Sequence, residues 1–273
     1  MKYKINERIS WDNFIKFSLE KNSIDKKDVV KNDDKNLKRY VIKEEKDYSI
    51  SKEEISDLMK MDKSMCIIRT EKMSRKMQGT GFFCKMDKMF PIKFALFTSY
   101  HLLNEKDLKI GKEITFDCLQ LQKSFFSSSY KQVSKKIIIN EKRKIFVNED
   151  LDYICIELFE SDGIKDFFEI DPKMYGDYYN KSFFMNLQIF ILYFKDGYNL
   201  SFSQGKILSM EEEYFYSNFS TSDGADGAPI ICRCQDNYVI GLYHGKFVME
   251  HTPALRVSKA FYYILNDIKQ KCT

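Results

Sequence analysis

The stretch Ser222-Asp223-Gly224-Ala225-Asp226-Gly227-Ala228-Pro229 decides the fold of this chain. Glycine adopts backbone conformations that other residues avoid, so Gly224 and Gly227 allow a tight turn around Asp226. In such a turn, backbone N–H groups can point at one spot and stabilise negative charge there. A strand-like apolar segment, 239–243, follows the turn. The pattern therefore indicates a strand-framed turn that presents one side chain beside a possible anion site.

Two upstream segments add a histidine and a second aspartate. One is the end of an apolar run, Leu96-Phe97-Thr98-Ser99-Tyr100-His101. The other is Asp152-Tyr153-Ile154-Cys155, in which the acid opens a strand-like segment. Histidine exchanges protons near neutral pH, and a neighbouring carboxylate can hold its ring in one tautomer. The chain order is therefore histidine, aspartate and then the glycine-framed turn.

This order and these local sequences resemble the trypsin/chymotrypsin-like serine peptidase family. The family ends a strand with Thr-Ala-x-His, to which 98–101 is similar, and places its nucleophile in Gly-x-Ser-Gly-x-Pro, which 224–229 matches except at the serine. Three further strand-like segments fit, namely Gly79-Thr80-Gly81-Phe82, Ser203-Gln204-Gly205-Lys206-Ile207 and Val239-Ile240-Gly241-Leu242. The likeness covers roughly residues 65–270 and is nearest to the intracellular trypsin-like domains of eukaryotic microbes and invertebrates.

The resemblance implies a role for each residue of the constellation. His101 would be the general base and Asp152 would orient its ring. The N–H groups of Gly224 and Asp226 would form the oxyanion hole. The residues expected to line the substrate cleft are Ser220, Gly241, Leu242, Tyr243 and His244. Ser220 would fall at the base of the specificity pocket, which predicts no strong charge preference, and His244 is equally well explained as a surface residue.

Asp226 stands where the family has its nucleophilic serine. A carboxylate has no proton for His101 to remove, and its charge would repel a developing oxyanion. We expect instead an ion pair that raises the pKa of His101. Ser222 and Ser220 are disfavoured as replacement nucleophiles, because they fall on the wall of the specificity pocket. A metal site is disfavoured too, because Asp152 should lie on the far nitrogen of the ring.

Short segments rich in β-branched and aromatic residues alternate with polar turns from residue 65 onward, which is typical of antiparallel barrels. Strands are predicted at 65–70, 80–86, 94–98, 114–121, 136–139, 153–158, 188–194, 205–210, 229–234 and 238–243. The apolar spacing of Phe261, Ile264, Leu265 and Ile268 predicts a helix over 258–271. Together with the resemblance, this predicts an all-β fold, a double six-stranded antiparallel β-barrel of the chymotrypsin-like kind with a C-terminal helix.

The N-terminal part differs in composition from the rest, being rich in Lys, Asp, Glu and Asn. Segments 11–17 and 51–60 have helix-like apolar spacing. We therefore predict a charged, partly helical extension over 1–62 and a peptidase-like domain over 63–273. The extension is interpreted as a solvated segment packed on the domain, with a partner-binding arm as the alternative.

The composition disfavours several classes of function. The 44 basic and 40 acidic residues leave a net charge of +4 with no basic block, so nucleic acid is not the predicted partner. No apolar run has the length of a membrane helix and the start lacks a secretory signal, which predicts a cytoplasmic protein without a membrane partner. Most of the seven cysteines lie in apolar segments and are predicted to be buried thiols, not metal ligands. Neither a cofactor nor a metal is predicted.

Three hypotheses of function follow. The first is a catalytically inactive peptidase homologue that binds a peptide or protein segment in its cleft. The second is an active endopeptidase with an atypical nucleophile. The third is a scaffold that acts through residues 1–62.

Overall fold

In a computed structural model of this chain, the described residues form two groups of β-strands and one α-helix of twelve residues, with short 3-10 helices between them. The structure describes residues 60–72, 75–123, 128–197, 199–232, 237–247 and 254–272. The predictions made for residues 1–59 lie outside this part, so the extension predicted before residue 63 stays a prediction. Apart from Ala254, the described residues belong to one compact unit.

The first group is an eight-stranded sheet. Its strands are β1 (Met65–Lys72), β2 (Arg75–Lys85), β3 (Phe94–Thr98), β4 (Glu113–Lys123), β5 (Ser128–Ile138), β6 (Ile145–Asn148), β7 (Tyr153–Glu157) and β8 (Phe168–Glu169). Neighbours follow the order β5-β4-β1-β2-β3-β7-β6, and β8 pairs in parallel with β2. Alternate side chains such as Cys66, Ile68 and Phe83 are buried in an apolar cluster of this half, as expected for strands with one face inward.

The second group is a closed six-stranded barrel in the order β10-β11-β14-β13-β12-β9. Its strands are β9 (Gln188–Lys195), β10 (Asn199–Met210), β11 (Tyr214–Ser217), β12 (Pro229–Cys232), β13 (Val239–Phe247) and β14 (Leu255–Ala260). Among the described residues, five short 3-10 helices lie at Asp62–Ser64, Glu160–Asp162, Pro172–Met174, Gly176–Tyr178 and Lys181–Phe183. The predicted all-β fold with a closed six-stranded barrel is confirmed. The first half differs from the second six-stranded barrel that was predicted, because its described strands form an eight-stranded sheet.

The predicted closing helix is present as α1 (Phe261–Cys272). Its four predicted apolar residues are all buried, and the Phe261 ring lies 5.0 Å from the ring of Phe97 in β3. The helix begins at 261 and not at 258, because Ser258 pairs with β11 and β13 as part of β14. Pairing partners distant in sequence thus override the local helical spacing at this end.

The structure also bears on the predictions of buried cysteines and of no membrane helix. The five cysteines expected in apolar segments are buried thiols that form no disulfide among the described residues, namely Cys66, Cys84, Cys118, Cys155 and Cys232. In the described part of the chain, none of the helices combines the length and apolar character that a membrane span requires.

Thr80 of β2 joins the two halves at the glycine-framed turn. Its backbone N–H donates to the carbonyl of Asp226 at 2.9 Å, and its hydroxyl donates to the carbonyl of Gly224 at 2.7 Å. The same hydroxyl accepts the N–H of Phe194 in β9 at 3.1 Å. Thr80 is fully buried, so water cannot replace these bonds. The Gly-Thr-Gly-Phe segment therefore holds the turn in place.

We expect Thr80→Val to destabilise the protein by roughly 2–4 kcal/mol, because the substitution keeps the shape but leaves two buried backbone groups without a partner. Urea denaturation followed by circular dichroism measures the change. Thr115→Val is the matched control, since Thr115 lies exposed in β4. Equal midpoints for the two variants would contradict the anchoring role of Thr80.

Candidate functional site

Neighbouring strands bring the predicted histidine and aspartate together. His101 follows β3 and Asp152 precedes β7, and these two strands pair in register, with Thr98 opposite Ile154. Asp226 lies in the connection between β11 and β12 of the second half. The three residues that are distant in sequence therefore meet where the sheet faces the barrel.

Asp152 is the buried centre of the site. Its side chain is 6% exposed. It accepts the backbone N–H of His101 at 3.0 Å and lies 2.9 Å from Nδ1 of the same residue. Nδ1 of His244 approaches the same carboxylate at 2.7 Å. Because an ionised carboxylate only accepts hydrogen bonds, both Nδ1 atoms carry a proton.

The backbone of Asp152 is left-handed, with φ of 48°. Aspartate tolerates this region better than most residues, yet such a conformation is kept only where its surroundings hold it. Its N–H donates to the carbonyl of Glu149 at 3.1 Å, and its carbonyl accepts the N–H of Tyr100 at 3.3 Å. These bonds fix the carboxylate beneath the histidine ring.

His101 is flanked by a carboxylate on each ring nitrogen. Asp152 faces Nδ1, and Oδ2 of Asp226 lies 3.3 Å from Nε2. Burial opposes the charged ring, but the hydrogen bonds to Asp152 and then to Asp226 outweigh it and raise the pKa of His101 to about 10. His101 is therefore an imidazolium at neutral pH, as predicted from the sequence.

The pKa of Asp152 moves the other way. Burial acts to raise it, but hydrogen bonds from His101 and then His244 lower it to about 2. Asp152 stays ionised under ordinary conditions. Since Asp152 and Asp226 lie on opposite nitrogens of His101, they do not converge with the ring on one point. Among the described residues, no group of three or more His, Cys, Asp or Glu side chains is arranged to hold a metal ion.

The two glycines shape the turn that presents Asp226. Gly224 and Gly227 have φ of 94° and 80°, where a side chain is strained. A Cβ on Gly224 would collide with the carbonyl oxygen of Phe194, and one on Gly227 with that of Thr80. The carboxylate of Asp226 reaches solvent from this turn, with 43% of its side chain exposed.

The peptide planes of the turn orient the predicted oxyanion donors. The carbonyl of Asp223 accepts the N–H of Asp196 at 3.1 Å, and the carbonyl of Ala225 is hydrogen-bonded within the turn at 3.0 Å. C=O and N–H point in opposite directions across a trans peptide. The N–H groups of Gly224 and Asp226 therefore point away from these partners. Within the part that the structure describes, neither N–H donates to a protein acceptor.

The residues predicted to line the cleft fall into different environments. Ser220 is exposed, and its N–H donates to the hydroxyl of Ser203 at 2.9 Å. Tyr243 is buried, and its hydroxyl lies 2.8 Å from that of Thr221. Ser222, one of the candidate replacement nucleophiles, donates instead to a tyrosine hydroxyl, at 3.3 Å.

The remaining predicted cleft residues, Gly241, Leu242 and His244, lie in β13. Gly241 and Leu242 are buried. The side chain of Leu242 packs in the core. Only its backbone is therefore available to line the cleft, and this stays a prediction. His244 contacts Asp152, with 23% of its side chain exposed. It therefore contacts the same carboxylate that holds His101, and its place in the cleft stays a prediction.

Two residues near the site were missed by the sequence reasoning. Thr80 is part of a quoted segment, but nothing in that segment says that its hydroxyl reaches the turn. Arg256 of β14 donates from Nε to the hydroxyl of Thr221 at 2.8 Å. Its position 30 residues after the turn carries no local signal, since only barrel closure brings the two together.

The chain shares its fold with solved protease structures. Deg5 is 14% identical, with 80% of this chain and 94% of that chain covered and a TM-score of 0.52. A serine endoprotease from Yersinia pestis is 8% identical, with 81% and 68% covered and a TM-score of 0.54. The active form of the Rv3671c protease from M. tuberculosis is 10% identical, with 84% and 93% covered and a TM-score of 0.52. No protein-family model and no curated protein sequence matches the chain.

At such low identity a structural likeness shows the fold alone. The trypsin-like fold is therefore established, whereas the intracellular eukaryotic subfamily and the roles of the site residues stay predictions.

Proposed function

We propose that this chain is a catalytically inactive homologue of the trypsin-like serine peptidases and binds an extended peptide or protein segment in its cleft without cleaving it. The observation that carries the proposal is the carboxylate of Asp226, 3.3 Å from Nε2 of His101. In the family that the chain resembles, a serine hydroxyl occupies this place.

Three features of the site support the loss of acyl transfer. A general base must accept a proton, and His101 already holds one, since its pKa is about 10. If the carboxylate of Asp226 attacked an amide, the tetrahedral intermediate would expel the carboxylate again more readily than the amine. Its negative charge opposes the oxyanion that the turn would otherwise stabilise.

The geometry of β13 supports peptide binding. In the described residues, β12 pairs with β13 only as far as Leu242, whereas β14 pairs with it as far as Phe247. A Cβ built on Gly245 meets no heavy atom within 4 Å, so there is space above this part of the strand. An extended segment could add here by main-chain hydrogen bonds.

The test uses the full chain. We expect neither cleavage of denatured casein nor labelling by a fluorophosphonate probe, together with saturable capture of peptides from a random library. Gly245→Trp should remove the capture by filling the space above β13, while Ile110→Trp, at a site that is 67% exposed in the first half, should not.

Turnover or labelling of the natural chain contradicts the inactive state and favours the atypical nucleophile. Capture that survives Gly245→Trp but is lost on deletion of residues 1–60 favours the scaffold hypothesis instead.

A further inference from the structure

A polar cluster lies in the wall of the cleft, just before the glycine-framed turn. The hydroxyl of Thr221 lies 2.8 Å from the hydroxyl of Tyr243 and accepts Nε of Arg256 at 2.8 Å. Thr221 belongs to the turn's own connection, Tyr243 to β13 and Arg256 to β14. Three separate segments thus place a permanently charged guanidinium beside two hydroxyls.

This cluster lies close to Asp226. Burial raises the pKa of Tyr243, the hydrogen bond with Thr221 lowers it, and the charges of Asp226 and Arg256 act on it in opposite directions. Both charges are therefore near the same hydroxyl. Asp226 already faces the protonated His101 at 3.3 Å, so its charge is opposed by that of the ring. The guanidinium of Arg256 lies in the pocket wall, where Nε donates to Thr221.

Ser258 adds an independent observation. It lies two residues after Arg256 in β14 and directly opposite Tyr243 of β13, so all three side chains share one face of the barrel wall. Ser258 is fully buried, and in the described part of the chain its Oγ has no hydrogen-bond partner. Buried hydroxyls are seldom left unpaired. An unpartnered hydroxyl on this face points to a polar group that enters from outside the chain.

We propose that this pocket, formed by Arg256, Thr221, Tyr243 and Ser258, binds the side-chain carboxylate of an Asp or Glu residue in the captured segment. The inference rests on the proposed function in that it assumes a peptide in the cleft. A guanidinium matches the planar carboxylate with parallel hydrogen bonds. A Lys or Arg side chain would be repelled by Arg256, and an apolar one would strip water from the hydroxyls without replacing it. The pocket thus has a charge preference that Ser220, the residue expected at its base, does not predict.

The test compares two small probes on the full chain: N-acetylglutamate N-methylamide and its neutral isostere N-acetylglutamine N-methylamide. The side-chain Nε–H resonance of Arg256 reports binding by NMR. We expect a saturable shift with the glutamate probe and an affinity about tenfold or more above that of the glutamine probe. Arg256→Gln should abolish the preference, and Ser258→Ala should weaken it.

Lys109→Gln is the matched control, because it removes one positive charge at an exposed position of the first half. It should leave the preference intact. Equal binding of the two probes to the natural chain overturns the inference even where Arg256→Gln fails to fold, and so does an equal loss in Lys109→Gln, which would mean that net charge alone attracts the probe.

The two proposals fail in different ways. If peptides are captured without an acidic preference and the Nε–H resonance of Arg256 does not shift, the acidic pocket is refuted but the peptide-binding function stands. A glutamate probe that binds at Arg256 while no library peptide is captured supports the pocket and removes the peptide-binding function.

Discussion

Asp226→Ser is expected to turn the chain into a working hydrolase, with casein cleavage and fluorophosphonate labelling at least about 10³-fold above those of the natural chain. Loss of the nucleophile from such a triad lowers turnover by a factor on the order of 10⁶ in a measured relative, so restoring the nucleophile should raise turnover by a large factor. Serine supplies the hydroxyl, and removal of the carboxylate lowers the pKa of His101, because Asp226 is one of the groups that raise it. Within the described residues, the N–H groups of Gly224 and Asp226 donate to no protein acceptor, so they are available to an oxyanion.

Two companion variants separate the nucleophile from the charge. Asp226→Asn removes the carboxylate but offers no nucleophile, so it should stay inactive. Asp226→Ser combined with His101→Ala should lose the regained activity, because the serine then has no base. An Asp226→Ser protein that folds normally and neither cleaves nor labels would show that the site has decayed beyond its nucleophile.

The second large effect is the pH dependence of stability. The folded-state pKa of His101 is about 10, against 6.5 for an ordinary histidine. A raised histidine pKa means that its stabilisation is complete below about pH 6.5 and is lost as pH rises through about 10. For Asp152 the pKa falls from 3.8 to about 2, so its stabilisation is complete above about pH 4 and is lost as pH falls through about 2. Both contributions are fully present only between about pH 4 and 6.5.

We therefore expect the free energy of unfolding to fall by roughly 4 kcal/mol between pH 6.5 and 10.5 through His101 alone. The measurement is the difference between the natural chain and His101→Gln in urea denaturation across this range, because lysines, tyrosines and thiols titrate in both proteins and cancel. Direct NMR titration of the His101 ring gives the pKa itself. A ring that titrates near 6.5, with parallel stability curves for the two proteins, would refute the double ion pair.

The strand pattern predicted strand positions well where the segments are apolar throughout. The predicted span 94–98 coincides with β3, and 188–194 falls one residue short of β9. The missed strands were short or ambiguous: β6 and β11 have four residues each and β8 has two. The start of β14 carried helical spacing, so its pairing with β11 and β13 could not be predicted from local pattern.

The candidate site was predicted unevenly for a similar reason. His101, Asp152 and Asp226 could be found because each stands in a short segment with a family likeness. His244 was assigned to the cleft, but its bond to Asp152 joins residues 92 positions apart. Arg256 was not found at all, since its contact with Thr221 spans 35 positions. Such contacts depend on barrel closure and on cross-strand register, neither of which leaves a local signature.

The sequence by itself determined the identity of the turn and the loss of its serine, because both are local: glycines at 224 and 227 permit the backbone, and residue 226 is an aspartate whatever the chain around it does. The tertiary structure decided how that aspartate acts. Its 3.3 Å contact with Nε2 of His101 arises where the sheet meets the closed barrel, whereas the polar pocket behind the turn arises from the pairing of β13 with β14. Charges interact through space and not along the chain, so the sequence could predict an ion pair with His101, but its distance and its further partners depend on how the two halves pack together.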